Sequence, residues 1–461
     1  FMQLPYDAFT LEKIQALPDF HPHQSLLLMI NHEGIQGVLV IHKQGTPQWL
    51  PLNNMAELAD KTRLLIKEGE RYTDLGNSRR TLHDDWRRAN KKPVMSVEER
   101  RRFWPDMIQA LKENFWTPLG PHIVGKKELI ILPQGNLHQL PVLAGKPKDV
   151  TTRFYPGLIY YALQTGLIKR NPEDTAPGSY CPAALIYYDH RDNGEKFLEG
   201  VAKEVEAIDN IHKAKNSTCK ILNYPDPFPN GAMQIDLLIG IGHGGDDPHI
   251  SFSTAMQVGR DQSLGYYDIL SGKAMVSHAF FNTCLVAMNR DDSQGTPMGL
   301  SGGFFRKGTL SITGFLYPIS DLFASHFSPM LHKHWLENKT KTRDIDAIRN
   351  KARKEFMESA QDILRAYCRP KLQYEISDYS FVSEETQNIL IDIFELDEAG
   401  AKTIKDLIKN YKDPESELAD SILNTLIDMK SFDIKSFETN CDKLPLMAIG
   451  TILYGIRVYG R

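Results

Sequence analysis

Several features are missing from this sequence, and each absence excludes a class of protein. No apolar run approaches the roughly 20 residues that a membrane-spanning helix needs, and no signal-peptide pattern opens the chain. A net charge of −4 gives no general electrostatic attraction to nucleic acid. We therefore expect a cytoplasmic protein that binds neither membranes nor nucleic acid directly.

Cysteine is scarce, and its spacing excludes two further classes. The five cysteines are odd in number and none forms a Cys-x-x-Cys pair, so the sequence predicts neither a disulfide framework nor a zinc site. The histidines show no His-x-x-x-His spacing either. We predict no cofactor and no metal requirement, so that a chelator should leave any activity unchanged. A lone cysteine with a histidine elsewhere in the chain is then a candidate nucleophile.

The sequence also lacks a phosphate-binding loop. Its glycine-rich segment at 295–305 contains neither Gly-x-x-x-x-Gly-Lys-Ser/Thr nor a Gly-x-Gly-x-x-Gly that follows a strand. Close packing of a helix on a sheet explains these glycines more simply. A small-molecule-binding or nucleotide-binding α/β protein is therefore disfavoured, and it stays an alternative hypothesis.

What the sequence does contain is a set of short apolar runs that end in polar or glycine residues. Such runs are typical of buried parallel strands. Between two of them, residues 198–213 place Val201, Val205 and Ile208 at helical spacing, which predicts an amphipathic helix. The chain has 461 residues, enough for a large core. These patterns predict the α/β class.

Two of the apolar runs end in residues with chemical capacity. The run at 237–242 stops at His243-Gly244-Gly245, and 41 positions after His243 a second run ends in Asn282-Thr283-Cys284. In open α/β sheets, reactive groups lie just outside the carboxyl ends of the strands. His243 and Cys284 are therefore a candidate base and nucleophile, and we predict a cysteine peptidase. His138, in a Pro/Gly turn, and Cys181, before a strand, are the rival base and nucleophile.

Five blocks in order resemble the CHAT family, the caspase-like peptidases often found with tetratricopeptide repeats. Ile241-Gly242-His243-Gly244-Gly245 and Phe281-Asn282-Thr283-Cys284 are similar to its two catalytic blocks. Three supporting blocks lie at 130–143, 199–208 and 298–321; in the last, Tyr317 replaces the tryptophan of a Trp-Pro-x-x-Asp ending. The sequence departs from the family after Cys284, where Leu285-Val286-Ala287 replaces the commoner Glu-Thr-Gly.

The resemblance implies a fold and an organisation. The fold is a caspase-like, mainly parallel sheet with helices on both faces, plus a helical insertion near the C-terminus. Residues 1–175 are expected to form the N-terminal, pseudo-caspase-like half and residues 176–370 the catalytic half. Residues 371–440 would be the helical insertion or a regulatory segment, and residues 441–461 a strand that returns to the core.

The resemblance also implies a mechanism and a setting. His243 would assist proton transfer, Cys284 would attack the scissile carbonyl as a thiolate, and the amides of Gly244 and Cys284 would form the oxyanion hole. The substrate would be a protein, and a protein or ribonucleoprotein would activate the enzyme. The family suggests prokaryotic antiviral defence or regulated cell death, in which some CHAT peptidases are CRISPR-associated and others cleave a gasdermin. A catalytically silent CHAT scaffold that binds partner proteins is the main alternative.

Substrate recognition is the least determined part of the site. A basic P1 residue needs an acid near the nucleophile, and the acids nearest to His243 and Cys284 in sequence are Asp246, Asp247, Asp291 and Asp292. Asn282 stands where some relatives place an acid. We expect a basic or medium-sized apolar P1 residue rather than aspartate. The basic segment at 72–102 is either a docking or processing loop or a solvated insertion.

Overall fold

The computed structural model describes residues 10–32, 34–72, 94–167, 179–180, 184–188, 199–217, 219–223, 233–246, 254–257, 263–287, 290–291, 297–338, 345–379, 384–393, 396, 398–410, 415–428, 453 and 456–460. Within these residues, the N-terminal half has five strands and eight helical elements, two of which are short 3₁₀ helices (Gly120–Ile123 and Gly135–Gln139). The helices are α1 (Leu11–Ala16), α2 (Met55–Tyr72), α3 (Val97–Leu111), which continues through a π turn (Lys112–Trp116) and a short turn (Thr117–Leu119), and α4 (Leu158–Thr165). The strands are β1 (Gln24–His32), β2 (Ile35–His42), β3 (Gln48–Pro51), β4 (Glu128–Leu132) and β5 (Thr151–Phe154).

The described part of the second half alternates strands and helices. Its strands are β6 (Ser179–Tyr180), β7 (Ala184–Tyr188), β8 (Cys219–Asn223), β9 (Met233–Ile241), β10 (Gly244–Asp246), β11 (Thr254–Gln257), β12 (Ser263–Leu264), β13 (Met275–Asn282), β14 (Arg290–Asp291), β15 (Pro297–Met298), β16 (Ser311–Phe315) and β17 (Ile456–Gly460). Its helices are α5 (Glu199–Ala214), α6 (Tyr266–Ser271), α7 (Leu300–Lys307), α8 (Asp321–Glu337), α9 (Ile345–Tyr379), α10 (Glu384–Ile393), α11 (Glu398–Asn410) and α12 (Glu415–Asp428).

One large sheet organises the described residues. Eleven of its 12 strands follow the order β3-β2-β1-β4-β5-β17-β16-β13-β9-β7-β8, and β6 pairs with β9. Neighbours from β16 to β8 are parallel, whereas β1, β2 and β3 form an antiparallel meander. The predicted mainly parallel α/β sheet is therefore confirmed. Strands such as β4 and β16 are buried along their whole length, as expected for strands covered on both faces.

Helices cover both faces because the chain changes direction across the sheet. The connection through α5 leads from β7 outward to β8, whereas those through α6 and α7 lead the other way, from β9 to β13 and then to β16. Parallel crossovers are right-handed almost without exception. Crossovers that run in opposite directions therefore place α5 on one face and both α6 and α7 on the other.

Strand β17 joins the two halves of the sheet. It is antiparallel to β16 and parallel to β5. Strands β1, β4 and β5 are parallel to each other, so they run opposite to β16, β13 and β9. Arg457 of β17 is buried, stacks on the Phe154 ring and donates to the Leu140 carbonyl at 2.7 Å. Strand β17 thus lies in the centre of the sheet and runs in the same direction as β1, β4 and β5 of the N-terminal half.

The C-terminal helices pack onto the second half of the structure through α8. Helix α8 contacts α5 and α9, and α9 contacts α12, where Arg369 pairs with Asp420 at 2.7 Å. Helix α9 runs without a break past residue 370 to Tyr379, so the start that the sequence suggested for the insertion falls inside a helix. None of the described helices is long and apolar enough to cross a membrane.

Candidate active site

The ends of β9 and β13 bring His243 and Cys284 to one edge of the sheet. The two strands are adjacent and parallel, with Ile241 opposite Asn282. His243 follows Ile241 by two residues, and Cys284 follows Asn282 by two. The amide of Gly242 donates to the Asn282 carbonyl at 3.5 Å, and the His243 carbonyl accepts from the Gln257 amide at 2.8 Å. The backbone around both candidate residues is therefore held by the strands beside it.

Gly244 and Cys284 approach each other closely through their backbones. A Cβ atom added to Gly244 would lie 1.9 Å from the Cys284 carbonyl oxygen and 2.9 Å from its amide nitrogen. No side chain fits into that space, because Cβ atoms in real proteins essentially never lie within 3.0 Å of such neighbours. Glycine at this position permits the approach.

The Cys284 thiol is half-buried and accepts a hydrogen bond from the backbone. The amide of Ile319, which lies between β16 and α8, donates to Sγ at 3.3 Å. The thiol in turn donates to the Ile319 carbonyl at 3.9 Å. Cys219, also in the described part of the chain, is in a different setting: burial raises its thiol pKa to about 12. Of these two cysteines, Cys284 has the surroundings of a nucleophile.

Leu285, directly after Cys284, adopts a left-handed backbone conformation. Its φ is 63°, a region that costs a residue with a side chain roughly 1–3 kcal/mol. Val286 and Ala287, which follow, are buried, and the Ala287 amide donates to the Phe315 carbonyl of β16 at 3.0 Å. Packing on both sides of the turn therefore holds the strained residue beside the thiol.

A pocket of about 370 Å³ opens next to the His243 and Cys284 side chains. Three parts of the chain form its walls: the strand ends, helix α2 of the N-terminal half, and helices α5 and α8. No lysine or arginine is among the described residues that line it. These are Ile66, Gly69, Val201, Glu204, Ile241, Gly242, His243, Gly244, Asn282, Cys284, Leu285, Pro318, Ile319, Asp321 and Ala324.

Two carboxyl groups line this pocket, and the more deeply buried is Glu204 of α5. Its side chain is 1% exposed, and Oε2 accepts a hydrogen bond from Asn282 Nδ2 at 2.7 Å. Burial raises the pKa of Glu204 to about 8, and the negative charge of Asp321 adds to the increase. Ser328 and Asn282 oppose this pKa shift, although the Ser328 hydroxyl itself makes no hydrogen bond within the described residues.

The second carboxyl group, Asp321, begins helix α8. Its Oδ2 accepts a hydrogen bond from the Gly200 amide at 2.8 Å, one of the amides at the start of α5 that have no partner within the helix. Asp321 thus lines the pocket and caps α5 at the same time.

The residues predicted from the sequence differ in their position relative to the pocket. His243, Gly244, Asn282 and Cys284 all line the pocket. Asp246 ends β10 and Asp291 ends β14, but the side chains of both, and the whole of Asp247 and Asp292, lie outside the part of the chain that the structure describes. Of the rivals, His138 is buried in a turn after β4, away from the pocket lining, and Cys181 lies outside the described residues.

Glu204 and Asp321 are the site residues that the sequence did not single out. One signal for Glu204 was available. It lies three positions after Val201 and four before Ile208, so it shares the apolar face of α5. An acidic residue on an apolar stripe is rarely buried unless it is paired.

Comparisons with known proteins add two solved structures. The scan against family models found no match, and the search of curated proteins found none either. Two crystal structures of the Saccharomyces cerevisiae separase–securin complex match 75% and 74% of this chain at 12% and 10% identity, with TM-scores of 0.44 and 0.46. The chain spans 30% and 29% of those separase chains. Similarity at this level says nothing about the activity of this chain.

Proposed function

We propose that this protein is a cysteine endopeptidase in which His243 and Cys284 form a catalytic dyad. The observation that carries the proposal is that both residues line one pocket at the carboxyl ends of two adjacent parallel strands. Cys284 attacks the scissile carbonyl carbon as a thiolate, and His243 delivers a proton to the leaving amine. Water then hydrolyses the thioester that results.

The oxyanion of the tetrahedral intermediate is stabilised by the amides of Gly244 and Cys284. The close approach of these two backbones supports this part of the proposal. Preorganised donors of this kind are worth about 10²–10³ in rate each. Leu285 contributes by holding the turn after Cys284 in its left-handed conformation.

The pocket selects a basic P1 residue. Two carboxyl groups and no described lysine or arginine line it, so an aspartate at P1 would meet negative charge without a partner. A substrate library profiled by P1 residue tests this choice, and a dominant P1 aspartate would contradict it.

The protein belongs, in this proposal, to the CHAT peptidases of prokaryotic defence or regulated cell death, and a protein or ribonucleoprotein partner activates it. The order of the five sequence blocks supports the assignment. Four of these blocks contribute residues to the pocket lining: the two catalytic ones, the one at 199–208, and the one that ends at Tyr317-Pro318-Ile319-Ser320-Asp321. Cleavage of neighbouring gene products with and without the candidate activator tests the requirement for a partner.

The dyad is tested by chemical labelling and by turnover. A peptidyl chloromethyl ketone with arginine at P1 should label Cys284, and mass spectrometry should find Cys219 unlabelled. Cys284→Ala should abolish both labelling and cleavage, and His243→Ala should abolish cleavage and slow labelling. Because the two residues act as a unit, the double variant should be no worse than either single one.

Two results would contradict the dyad. One is near-normal cleavage by Cys284→Ala. The other is labelling spread evenly over several cysteines, which would favour a scaffold without a catalytic thiol.

A further inference from the structure

The carboxyl group of Glu204 and the side-chain amide of Asn282 form a buried pair in which two oxygen atoms lack donors. Asn282 Nδ2 donates to Glu204 Oε2 at 2.7 Å, and the two side chains are 5% and 1% exposed. Within the described residues, neither Glu204 Oε1 nor Asn282 Oδ1 has a hydrogen-bond partner, and both atoms are almost completely inaccessible to solvent. A bound molecule therefore cannot reach them, and the donor has to come from the protein itself.

A single proton on Glu204 supplies the missing donor. An ionised carboxylate is only an acceptor, whereas a protonated carboxyl group has one O–H donor and keeps acceptor capacity. A carboxylic acid and a primary amide can then form a ring of two reciprocal hydrogen bonds. The bond from the amide to the acid is present, and the return bond would join the two oxygen atoms that have no partner.

The surroundings of Glu204 favour its neutral form. Burial raises the pKa of this carboxyl group to about 8, and the negative charge of Asp321 adds to the increase. Ser328 and Asn282 act in the opposite direction, and burial outweighs them. A buried acid that stays neutral in this way can serve as a hydrogen-bond donor at neutral pH.

Other ionisable groups lie on every element around the pair. Helices α2, α5 and α8 carry some of them, and the candidate dyad lies at the ends of β9 and β13. Among the described groups, Asp321 is the one whose charge shifts the pKa of Glu204. The groups on the three helices are Glu68, Lys203, Asp321, His326 and His332.

Asn282 connects this pair to the candidate dyad. Its side chain bonds to Glu204 of α5, and its backbone carbonyl accepts from the Gly242 amide at 3.5 Å. Gly242 directly precedes His243, and Asn282 lies two residues before Cys284. Asn282 therefore ties the ends of β9 and β13 to each other and to helix α5.

We propose that Glu204 is a positioning residue that carries a proton in the active enzyme, and that its Oε1–H group donates to Asn282 Oδ1 and so fixes the strand end before Cys284. The inference rests on the proposed peptidase function. When hydroxide removes this proton as water, the two oxygen atoms become acceptors with no donor between them, and the pair opens. Cys284 then loses its alignment with His243, and kcat falls as pH rises through the Glu204 pKa of about 8.

Infrared spectroscopy detects this proton without requiring catalysis. Carboxyl groups with an ordinary pKa are ionised at pH 6.5, so a carboxylic-acid C=O band at that pH should come from Glu204. The band should be present in the wild type at pH 6.5 and absent at pH 9.5. It should be absent from Glu204→Gln at both pH values and retained at pH 6.5 in the matched variant Asp321→Asn. Protein made with glutamate isotopically labelled at the side-chain carboxyl carbon should show the band at lower frequency.

The second measurement asks whether the proton positions the site. Values of kcat for a fluorogenic peptide with arginine at P1 are compared from pH 6 to 9.5. The amide of Glu204→Gln can donate to Asn282 Oδ1 and accept from Nδ2, but it does not ionise. At pH 6.5 Glu204→Ala should lower kcat roughly 10- to 100-fold, and Glu204→Gln should restore most of that loss.

The pH profiles separate positioning from a general effect on structure. The fall in kcat near pH 8 should move to higher pH in Glu204→Gln. In Asp321→Asn the fall should remain and move to slightly lower pH, because the charge of Asp321 raises the pKa of Glu204. Circular dichroism verifies the fold of each variant. If Glu204→Gln does not fold, the isotope shift and the pH dependence of the wild-type band decide.

Three outcomes would overturn the proposal. They are the absence of the carboxylic-acid band from the wild type at pH 6.5, its persistence in Glu204→Gln, and identical kcat–pH profiles for the wild type and Glu204→Gln. A band that Glu204→Gln removes, in a protein that does not cleave the peptide, would instead contradict the peptidase proposal and leave the protonated pair intact.

Discussion

At Gly244 a single methyl group is too large for the site. An added Cβ would lie 1.9 Å from the Cys284 carbonyl oxygen, so alanine must push the two strand ends apart. At Gly245, the next residue, the nearest atom to an added Cβ is Gln257 Nε2 at 3.8 Å. The two neighbouring glycines therefore differ sharply in the space around them.

We predict that Gly244→Ala lowers the rate of peptide cleavage by at least roughly 10²-fold, because it displaces an amide of the oxyanion hole. The matched variant Gly245→Ala should keep a rate close to that of the wild type. Turnover of a fluorogenic peptide with arginine at P1 measures both. Equal rates for the two variants would show that the Gly244 amide does not contribute to the oxyanion hole.

The candidate nucleophile and base could be predicted from sequence, whereas the acids of the pocket could not. His243 and Cys284 end apolar runs, and the carboxyl ends of neighbouring parallel strands meet at one edge of a sheet. Nearness in sequence to those residues points to Asp246, Asp247, Asp291 and Asp292, whose side chains lie outside the described residues. Glu204 and Asp321 reach the pocket from helices, and the packing of α5 against α8 that brings them there depends on contacts over long sequence distances.

At the scale of elements, helix α2 links the N-terminal half to the thiol. A Cβ on Gly69 would lie 2.5 Å from Cβ and Cγ of Pro318, and the next residue, Ile319, donates its amide to Cys284 Sγ. The preceding residue in α2, Glu68, is buried and accepts from the Val94 and Met95 amides and from Arg100. The end of α2 therefore contacts both the pocket wall and the start of α3.

We predict that Gly69→Ala makes the Cys284 thiol less reactive, because it moves Pro318 and weakens the hydrogen bond from Ile319. The rate of iodoacetamide alkylation near neutral pH should fall about tenfold, and the pH at which alkylation is half-maximal should rise. Gly120→Ala is the control, since an added Cβ there meets nothing within 4 Å. An unchanged pH profile in Gly69→Ala would mean that α2 does not support the thiol.

The direction of strands was beyond prediction from sequence. The apolar pattern of residues 456–460 indicates a strand, but the same pattern suits either orientation. The structure places β17 antiparallel to β16 and parallel to β5. The orientation of β17 is decided by tertiary contacts, among them the stacking of the buried Arg457 over Phe154. The periodicity of the sequence carries no information about such contacts.

At the scale of the whole molecule, the two halves complete a single site. The N-terminal half supplies Ile66 and Gly69 to the pocket. It also holds the Pro318–Ile319 wall, because the Tyr317 hydroxyl donates to the Gln139 carbonyl at 2.5 Å. The second half of the chain, separated from residues 1–175, would therefore lose one wall of the pocket and a support of the thiol.

Opposing pKa shifts should give the molecule a stability maximum near pH 6.5. Burial raises the pKa of Glu204 from 4.5 to about 8, so the folded state keeps a proton that the unfolded state releases, and stability falls as pH rises from 4.5 to about 8. Burial lowers the pKa of His332 from 6.5 to about 3, and burial also lowers the pKa values of His212 and His326. Their contribution is present above pH 6.5 and is lost on acidification. Below pH 6.5 the three histidines change the stability with pH more than Glu204 does. Above pH 6.5 Glu204 is the one of these four groups that still changes the stability.

We predict that Glu204→Gln abolishes the loss of stability above pH 6.5 and keeps the loss of stability below it. Each pH unit between 6.5 and 8 should cost the wild type about 1.4 kcal/mol through this carboxyl group, and the variant carries no proton there to lose. Thermal unfolding midpoints of both proteins at pH 5, 6.5 and 8 measure the effect. The wild type should lose stability between pH 6.5 and 8 and the variant should not, while both should lose it between pH 6.5 and 5. Parallel profiles for the two proteins would show that Glu204 ionises normally in the folded state.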